Sequence, residues 1–131
     1  ECMSLNEVVI HGIPTDYVLQ EGDIIGLDLG VEEDGYYGDS ALTLPIGAIS
    51  PQDEKLLACS KESLMHAINS IRVGMHFKEF SQIIESTITE RGFVPLKGFC
   101  GHGIGKKPHE DPEIPNYLDK GVNHNSGHKI K

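Results

Sequence analysis

Two strand-like segments meet at Asp34-Gly35, and this pair constrains the fold more than any other feature of the chain. Asp-Gly between partly alternating apolar residues is typical of a two-residue hairpin turn, because both turn positions need a positive φ. We therefore predict a strand over residues 23–33 and its antiparallel partner over residues 36–46. A two-residue turn also sets the register, so Gly30 is expected opposite Asp39.

The same register brings two carboxylates together. Asp28 is expected opposite Ala41, and period-2 alternation then makes Asp28 and Asp39 diagonal neighbours on one face, roughly 7 Å apart at Cα. Carboxylates that close repel each other unless a cation or a proton lies between them, and dinuclear metal sites use such pairs. The alternative is that one or both face solvent beside the turn. Asp23 and Asp34 are interpreted as turn residues.

The middle of the chain carries two helix patterns. Ser50 and Pro51 predict the start of the first helix, with serine as N-cap, proline at the first helical position and Asp53 completing a capping box. Gly74 is placed to close this helix, whose apolar residues share one face: Leu57, Leu64, Ile68 and Ile71. A second amphipathic helix, closed by Gly92, is indicated by Phe77, Phe80, Ile84 and Ile88.

Two further extended segments complete the pattern. Residues 7–10 form a β-branched run that ends in a turn at residues 11–14, and residues 93–96 are predicted to begin another strand. From Gly98 onward the chain is rich in Gly, Pro, His and Asn, which predicts loops and short extended pieces. The order of hairpin, helix, helix and strand predicts an α+β fold.

Residues 100–110 hold two histidines, and the first of them lies between glycines. An imidazole among carboxylates suits Mn, Fe, Co or Zn, so His102 is a candidate ligand, although a structural role is the alternative. His11 and His109 could polarise a carbonyl or donate to a leaving amide nitrogen; a surface or capping role is equally open for both. His66 is interpreted as a helix-surface residue, and His124 and His128 as loop residues.

Composition excludes several classes of protein. With 11 Lys+Arg against 20 Asp+Glu in 131 residues and a net charge of -9, neither nucleic acid nor an anionic membrane is expected as the main partner. No apolar run approaches 18 residues and no signal-peptide pattern is present, so we expect a cytoplasmic protein. Three widely spaced cysteines favour reduced thiols, and half a zinc site at Cys100 and His102 is the less favoured reading.

Three segments of the chain resemble the type I methionine aminopeptidases in their order and close to their spacing. They are SLNEVVIHGIP at residues 4–14, GDIIGLD followed by DGYYGD within residues 22–39, and CGHGIG followed by HExP within residues 100–112. The resemblance covers nearly the whole chain. It implies the α+β pita-bread fold, in which two pseudo-symmetric halves surround a dinuclear metal site.

The resemblance also implies roles for individual residues. Asp28 would bind one divalent ion (Co, Mn, Fe or Zn), Asp39 would bridge both, and His102 would bind the other. His11 and His109 would contact the scissile amide, and the resemblance further implies that Cys2 lines the methionine side-chain pocket and that backbone oxygens of Asn6 and Val8 hold a monovalent cation. The implied reaction removes the initiator methionine from nascent chains, as a hydroxide made nucleophilic at neutral pH by the two ions attacks the first peptide carbonyl.

The resemblance sets the expected boundaries as well. Residues 1–131 are expected to be part of a single aminopeptidase domain, truncated at both ends, that holds the N-terminal half and the start of the C-terminal half. Two glutamate ligands of the family are absent from this chain, and Pro108 stands where many members place an aromatic residue. A half-domain of this kind would expose an apolar sheet face.

Two alternatives remain beside this reading. The Xaa-Pro peptidase branch usually carries another histidine just before Gly101-His102, where this chain has Phe99 and Cys100. A metal-free binding module of the same fold typically loses the acids and histidines that this chain retains. The expected partners are nascent polypeptides with N-terminal methionine, with transient association with the ribosome, and the complete protein is expected to be a monomer.

Overall fold

The computed structural model describes residues 1–118 and 129–131, which group into two compact units. Residues Glu1–Leu57 and Ile104–Pro108 form the first unit, and residues Ala58–Gly103 and His109–Lys131 form the second. In this part of the chain the elements are β1 (Cys2–Leu5), β2 (Ile24–Glu33), β3 (Tyr36–Pro45), α1 (Pro51–Asn69), α2 (Phe77–Glu90), β4 (Cys100–Gly103) and β5 (Glu110–Pro115).

The first unit is built on an antiparallel sheet in the order β1-β2-β3. The β2–β3 hairpin turns at Asp34 (φ 52°) and Gly35 (φ 79°), the two positive φ values that a two-residue turn requires. Gly30 pairs with Asp39 and Asp28 pairs with Ala41. The predicted strands, turn and register are therefore confirmed, with β2 starting one residue later than expected.

One face of this sheet is apolar because the alternate positions of all three strands carry large aliphatic side chains. The face is well covered only near Ile25, which is 8% exposed, whereas Leu42 is 60% exposed. The exposed apolar sheet face expected from the sequence is thus present. Its members, by strand pairing, are Met3, Leu5, Ile25, Leu27, Leu29, Val31, Leu42 and Leu44.

Helix α1 begins as its sequence predicts but buries another face than its large residues suggest. The Asp53 amide donates to Ser50 Oγ at 3.1 Å, and that hydroxyl donates to Asp53 Oδ2 at 2.6 Å. The buried residues are small and spaced by four: Cys59, Ser63 and Ala67. Small side chains allow close packing along that stripe, so Leu64, Ile68 and the following Ile71 are left exposed. The helix ends at Asn69, five positions before Gly74 (φ 85°), so the prediction that Gly74 closes it is wrong.

Helix α2 follows the predicted pattern and packs in the second unit. It buries Ile84, and Gly92 (φ 81°) follows its C-terminus, as expected of a glycine that ends a helix. His66 on α1 is exposed, as predicted, and its Nδ1 lies 3.0 Å from Thr87 Oγ1 on α2. Since the Thr87 hydroxyl donates to the Ile83 carbonyl, His66 is the donor in this contact.

Two of the strands predicted from the sequence, at residues 7–10 and 93–96, do not form. Residues 7–10 are not a strand, because Asn6 (φ 49°) turns the backbone immediately after β1 and the Val8 amide donates back to the Leu5 carbonyl. Residues 93–96 are also irregular. Val94 is exposed there, and the extended structure begins only at β4, after Gly98 (φ 85°).

The region after Gly98 forms short extended pieces, as predicted. Strands β4 and β5 make a two-stranded antiparallel sheet with a register irregularity between His102 and Gly103. The expectation that His124 and His128 are loop residues lies outside the described residues. None of the described helices has the length and apolar character needed to cross a bilayer.

Candidate functional site

The polar face of the first unit's sheet carries the predicted carboxylates. Asp28 pairs with Cys2 on one side and with Ala41 on the other. Asp39 faces Gly30, so Asp28, Asp39 and Cys2 share one face and the two acids are diagonal neighbours. A Cβ built on Gly30 meets nothing within 4 Å, which leaves open space beside the acids. The arrangement presents two carboxylates to a cation from adjacent strands.

Asn6 and Asp23 are joined by a hydrogen-bond network that the sequence did not predict. Asn6 Nδ2 donates to Asp23 Oδ1 at 2.9 Å, and the Ile24 amide donates to Asn6 Oδ1 at 3.0 Å. The Gln20 amide donates to Asp23 Oδ2 at 2.8 Å, and Tyr17 hydrogen-bonds the same carboxylate. Asp23 is thus a turn residue, as predicted, and in addition it ties the end of β1 to the start of β2.

These donors hold the pKa of Asp23 below its ordinary value, chiefly through the Asn6 amide and then through the Gln20 amide. Because the folded-state pKa is depressed, the stabilisation is fully present above about pH 3.9, the unfolded value, and is lost as pH falls through the folded pKa. We expect Asp23→Asn to unfold at lower urea concentration than wild type at pH 7, and the gap to narrow at pH 3. Asp16→Asn, on an exposed loop, is the control; an equal gap at both pH values would contradict the assignment.

His11 lies in the first unit, in an irregular segment that is hydrogen-bonded to β1. Its φ of 56° is in the left-handed region, which is uncommon for a residue other than glycine. The Met3 amide donates to the Gly12 carbonyl at 2.8 Å, so a strand outside this segment holds it in place. His11 therefore follows an irregular segment, and the prediction that it follows the end of a strand and begins a turn at residues 11–14 is wrong.

His102 and His109 come together in the second unit. Their ring centroids are 4.3 Å apart and their planes are tilted by 49°, and the two residues are seven positions apart in the sequence. His102 Nδ1 lies 2.9 Å from the Gly103 carbonyl oxygen, and since a carbonyl only accepts, the proton is on Nδ1. In the neutral ring the lone pair is then on Nε2, the tautomer and anchoring that metal-binding histidines commonly show.

The glycines beside His102 are explained by the strand that runs against them. A Cβ on Gly103 would lie 2.3 Å from the Asp111 carbonyl oxygen and 2.9 Å from that of Glu110. A Cβ on Gly101 would lie 3.3 Å from the Ile114 carbonyl oxygen. Close approach of the backbone therefore accounts for the glycine at position 103 more strongly than for the one at position 101.

The predicted site residues fall into two groups, one in each unit. Asp28, Asp39 and Cys2 share a sheet face in the first unit, where His11 also lies, and His102 meets His109 in the second. Among residues 1–118 and 129–131, no three His, Cys, Asp or Glu side chains converge closely enough to hold a metal ion.

Cys100 is a poor partner for His102 in a zinc site. Its thiol pKa is raised by desolvation and then by the charge of Glu113, and the thiolate is the form that binds zinc. Cys2, Cys59 and Cys100 are all free thiols, as predicted.

Comparison with known proteins decides the family. Residues 2–131 match the model of metallopeptidase family M24. The chain belongs to this family. The acids and histidines described above therefore belong to a metallopeptidase chain. Carboxylate oxygens and an imidazole nitrogen are donors that suit the divalent ions of a metallopeptidase.

The M24 chain is similar to proteins named methionine aminopeptidase. It is 94% identical over 130 residues to that of Helicobacter pylori, covering 99% of this chain and 51% of that protein. It is 42% identical over 116 residues to methionine aminopeptidase 1 of Bacillus subtilis, covering 88% of this chain and 47% of that protein. The chain therefore spans about half the length of the curated relatives it matches.

Solved structures agree on the fold. A methionine aminopeptidase from Thermotoga maritima superposes with a TM-score of 0.87 at 38% identity, covering 92% of this chain and 49% of that one. An Xaa-Pro dipeptidase from Bacillus anthracis superposes with a TM-score of 0.79 at 26% identity, covering 88% and 33%. The M24 chain thus has the pita-bread α+β fold that both classes share, and its higher identity to the methionine aminopeptidases does not favour the Xaa-Pro alternative.

Proposed function

We propose that the protein carrying this chain removes the initiator methionine from nascent polypeptides by metal-dependent hydrolysis of the first peptide bond. The observation that carries the proposal is the 94% identity to a methionine aminopeptidase over 130 residues, a stretch that includes every acid and histidine assigned a role. The shared sheet face of Asp28 and Asp39 supports it independently, because paired carboxylates need a cation or a proton between them.

Asp28, Asp39 and His102 are the proposed metal ligands. The resemblance to the methionine aminopeptidases makes Asp39 the carboxylate that would be shared by both ions, and its position diagonal to Asp28 on the same face is compatible with that role. His102 would bind through Nε2, because its Nδ1 hydrogen-bonds to the Gly103 carbonyl. When bound, the two divalent ions (Co, Mn, Fe or Zn) supply a nucleophile at neutral pH and stabilise developing negative charge.

His11 and His109 are the proposed catalytic residues at the scissile amide. An imidazole N–H can donate to the peptide carbonyl oxygen as negative charge develops there, and an imidazolium can give a proton to the departing amine. The His109 ring contacts His102, one of the proposed ligands. His11 lies in the same unit as Asp28 and Asp39, the other proposed ligands.

Two further binding roles are proposed. Cys2 lines the methionine side-chain pocket, supported by its position directly beside Asp28 on the metal-facing side of the sheet. The backbone carbonyls of Asn6 and Val8 hold a monovalent cation; the Asn6 side-chain amide is already engaged with Asp23 and Ile24, so only its backbone is left for that purpose.

We place the protein in the cytoplasm as a monomer that meets nascent chains in transient association with the ribosome.

The proposal is tested by methionine release from a Met-Ala-Ser peptide. Because the relatives are about twice as long, the assay uses this chain joined to the part of the Helicobacter relative that it does not cover; we call this the extended protein. After chelation, added Mn, Fe, Co or Zn is expected to restore release of free methionine. Release from an Xaa-Pro peptide but not from Met-Ala-Ser, or no metal-restored release, would overturn the proposal.

His109→Ala in the extended protein is expected to lower kcat about 100- to 1,000-fold, as loss of a catalytic proton donor does, while bound metal stays near the wild-type level. The measurement pairs methionine release with metal content by elemental analysis. His66→Ala, a surface histidine that contacts Thr87, is the matched control and is expected to change neither. Metal loss in proportion to the lost activity would make His109 a ligand and contradict its proposed role.

A further inference from the structure

A side chain of β1 hydrogen-bonds to the segment that carries His11. The Gly12 amide donates to Ser4 Oγ at 3.1 Å, and the Met3 amide donates to the Gly12 carbonyl at 2.8 Å. Both peptide groups of Gly12 are therefore bound to consecutive residues of one strand. The first of these bonds depends on a hydroxyl, which a single substitution can remove without touching the backbone.

Local backbone preferences do not favour the conformation of this segment. His11 has a φ of 56°, and a side-chain-bearing residue in the left-handed region is strained. Gly12 approaches so closely that a Cβ would lie 2.1 Å from the Met3 carbonyl oxygen. Since the direction of the His11 side chain follows from its backbone conformation, whatever holds Gly12 against β1 also aims the imidazole.

The position of Ser4 in the sheet suits it to accept the hydrogen bond from the Gly12 amide. It is 8% exposed and pairs with Gly26 of β2, where a Cβ would meet Ser4 Cβ at 3.6 Å. The serine side chain therefore lies beside a position of β2 that has no side chain. Buried hydroxyl groups and buried amides need partners. Alanine at position 4 would keep the packing and leave the Gly12 amide without its acceptor.

We propose that Ser4 is a positioning residue for catalysis: through the Gly12 amide it holds His11 in the conformation that reaches the scissile bond. This rests on the proposed role of His11. Ser4 is assigned no contact with substrate or metal. Its effect passes through one hydrogen bond, and this makes the effect separable from a general loss of stability.

A double-mutant cycle in the extended protein tests the inference. Ser4→Ala is expected to lower kcat/KM for Met-Ala-Ser about 10- to 100-fold, as a misplaced catalytic group does, with metal content unchanged. In the His11→Ala background the same substitution is expected to cost nothing further, since there is no imidazole left to aim. Losses that multiply in the double variant would overturn the inference.

Two more variants separate positioning from stability. Ser63→Ala removes another buried serine, 4% exposed, whose hydroxyl donates to the Ser60 carbonyl in its own helix, and it is expected to leave kcat/KM unchanged. Ser4→Thr keeps the hydroxyl and is expected to recover most of the activity that Ser4→Ala loses. If Ser63→Ala loses as much activity as Ser4→Ala, the effect is one of stability and the inference fails.

Hydrogen exchange of the Gly12 amide gives a readout that needs no activity. Exchange is expected to accelerate at least about tenfold in Ser4→Ala and to stay slow in Ser4→Thr. Unchanged exchange in Ser4→Ala overturns the inference while methionine release by the unsubstituted extended protein still supports the proposed function. Absence of release by that protein overturns the proposed function, and the catalytic part of the inference with it, whatever the exchange shows.

Discussion

Replacing Asp39 by alanine is expected to abolish methionine release by the extended protein. Asp39 is the carboxylate proposed to be shared by both ions, on the same sheet face as Asp28. Loss of a partner that only supports a metal ligand costs about 10- to 100-fold, so loss of the shared ligand is expected to cost more than about 1,000-fold. Initial rates of methionine release, with metal content measured on the same samples, check this.

Stability measurements show whether that loss comes from the site or from the fold. Asp39 is exposed on β3, so Asp39→Ala is expected to change the free energy of unfolding of the metal-free protein by no more than about 1 kcal/mol. Ser40→Ala is the matched control, because Ser40 is the next residue of β3, points to the opposite face and pairs with Leu29. Near-normal turnover by Asp39→Ala would refute the assignment of Asp39 as a ligand.

Gly103→Ala is expected to damage the histidine half of the site from one residue away. The new Cβ would lie 2.3 Å from the Asp111 carbonyl oxygen, a backbone atom that a rotamer change cannot move aside. We expect the free energy of unfolding to fall by about 3 kcal/mol, the upper end for overpacking. His102 hydrogen-bonds to the carbonyl of Gly103, so metal binding is expected to weaken as well. Urea unfolding and metal titration measure the two effects.

Gly101→Ala is the graded control on the other side of His102. Its Cβ would lie 3.3 Å from the Ile114 carbonyl oxygen, so a shift of a few tenths of an ångström relieves the contact. The expected cost is under about 1 kcal/mol, with metal binding largely retained. Equal effects of the two substitutions would mean that glycine is needed here for chain flexibility and not for the close approach of β5.

The hairpin shows how far local patterns reach. Asp34-Gly35 predicted the turn, the turn predicted the register, and the register predicted that Asp28 and Asp39 share a face, all of which the strand pairing confirms. The prediction succeeded because a two-residue turn leaves the flanking strands no freedom to slip. The N-cap at Ser50 succeeded for a similar reason, since its hydrogen bonds span only three residues.

Predictions failed where distant contacts outweigh local preference. Residues 7–10 have strand-forming side chains, yet Asn6 turns the chain just before them, and its amide is bound to Asp23 and Ile24, which lie 17 and 18 residues away. In α1 the large apolar residues suggested the packing face, but the helix buries Cys59, Ser63 and Ala67. How closely a helix packs depends on its neighbours, which periodicity does not describe.

By itself the sequence determined the hairpin register, the shared face of Asp28 and Asp39, the helix starts and the resemblance to the methionine aminopeptidases, because these depend on local geometry or on linear motifs. Only the tertiary structure decided which residues hold the site in shape. Three contacts do this, each between residues eight to seventeen positions apart in the sequence: Ser4 with Gly12, Asn6 with Asp23, and Gly103 with the Asp111 carbonyl. These contacts depend on the path of the folded chain. They leave no periodic pattern in the local sequence, so they could not be predicted from it.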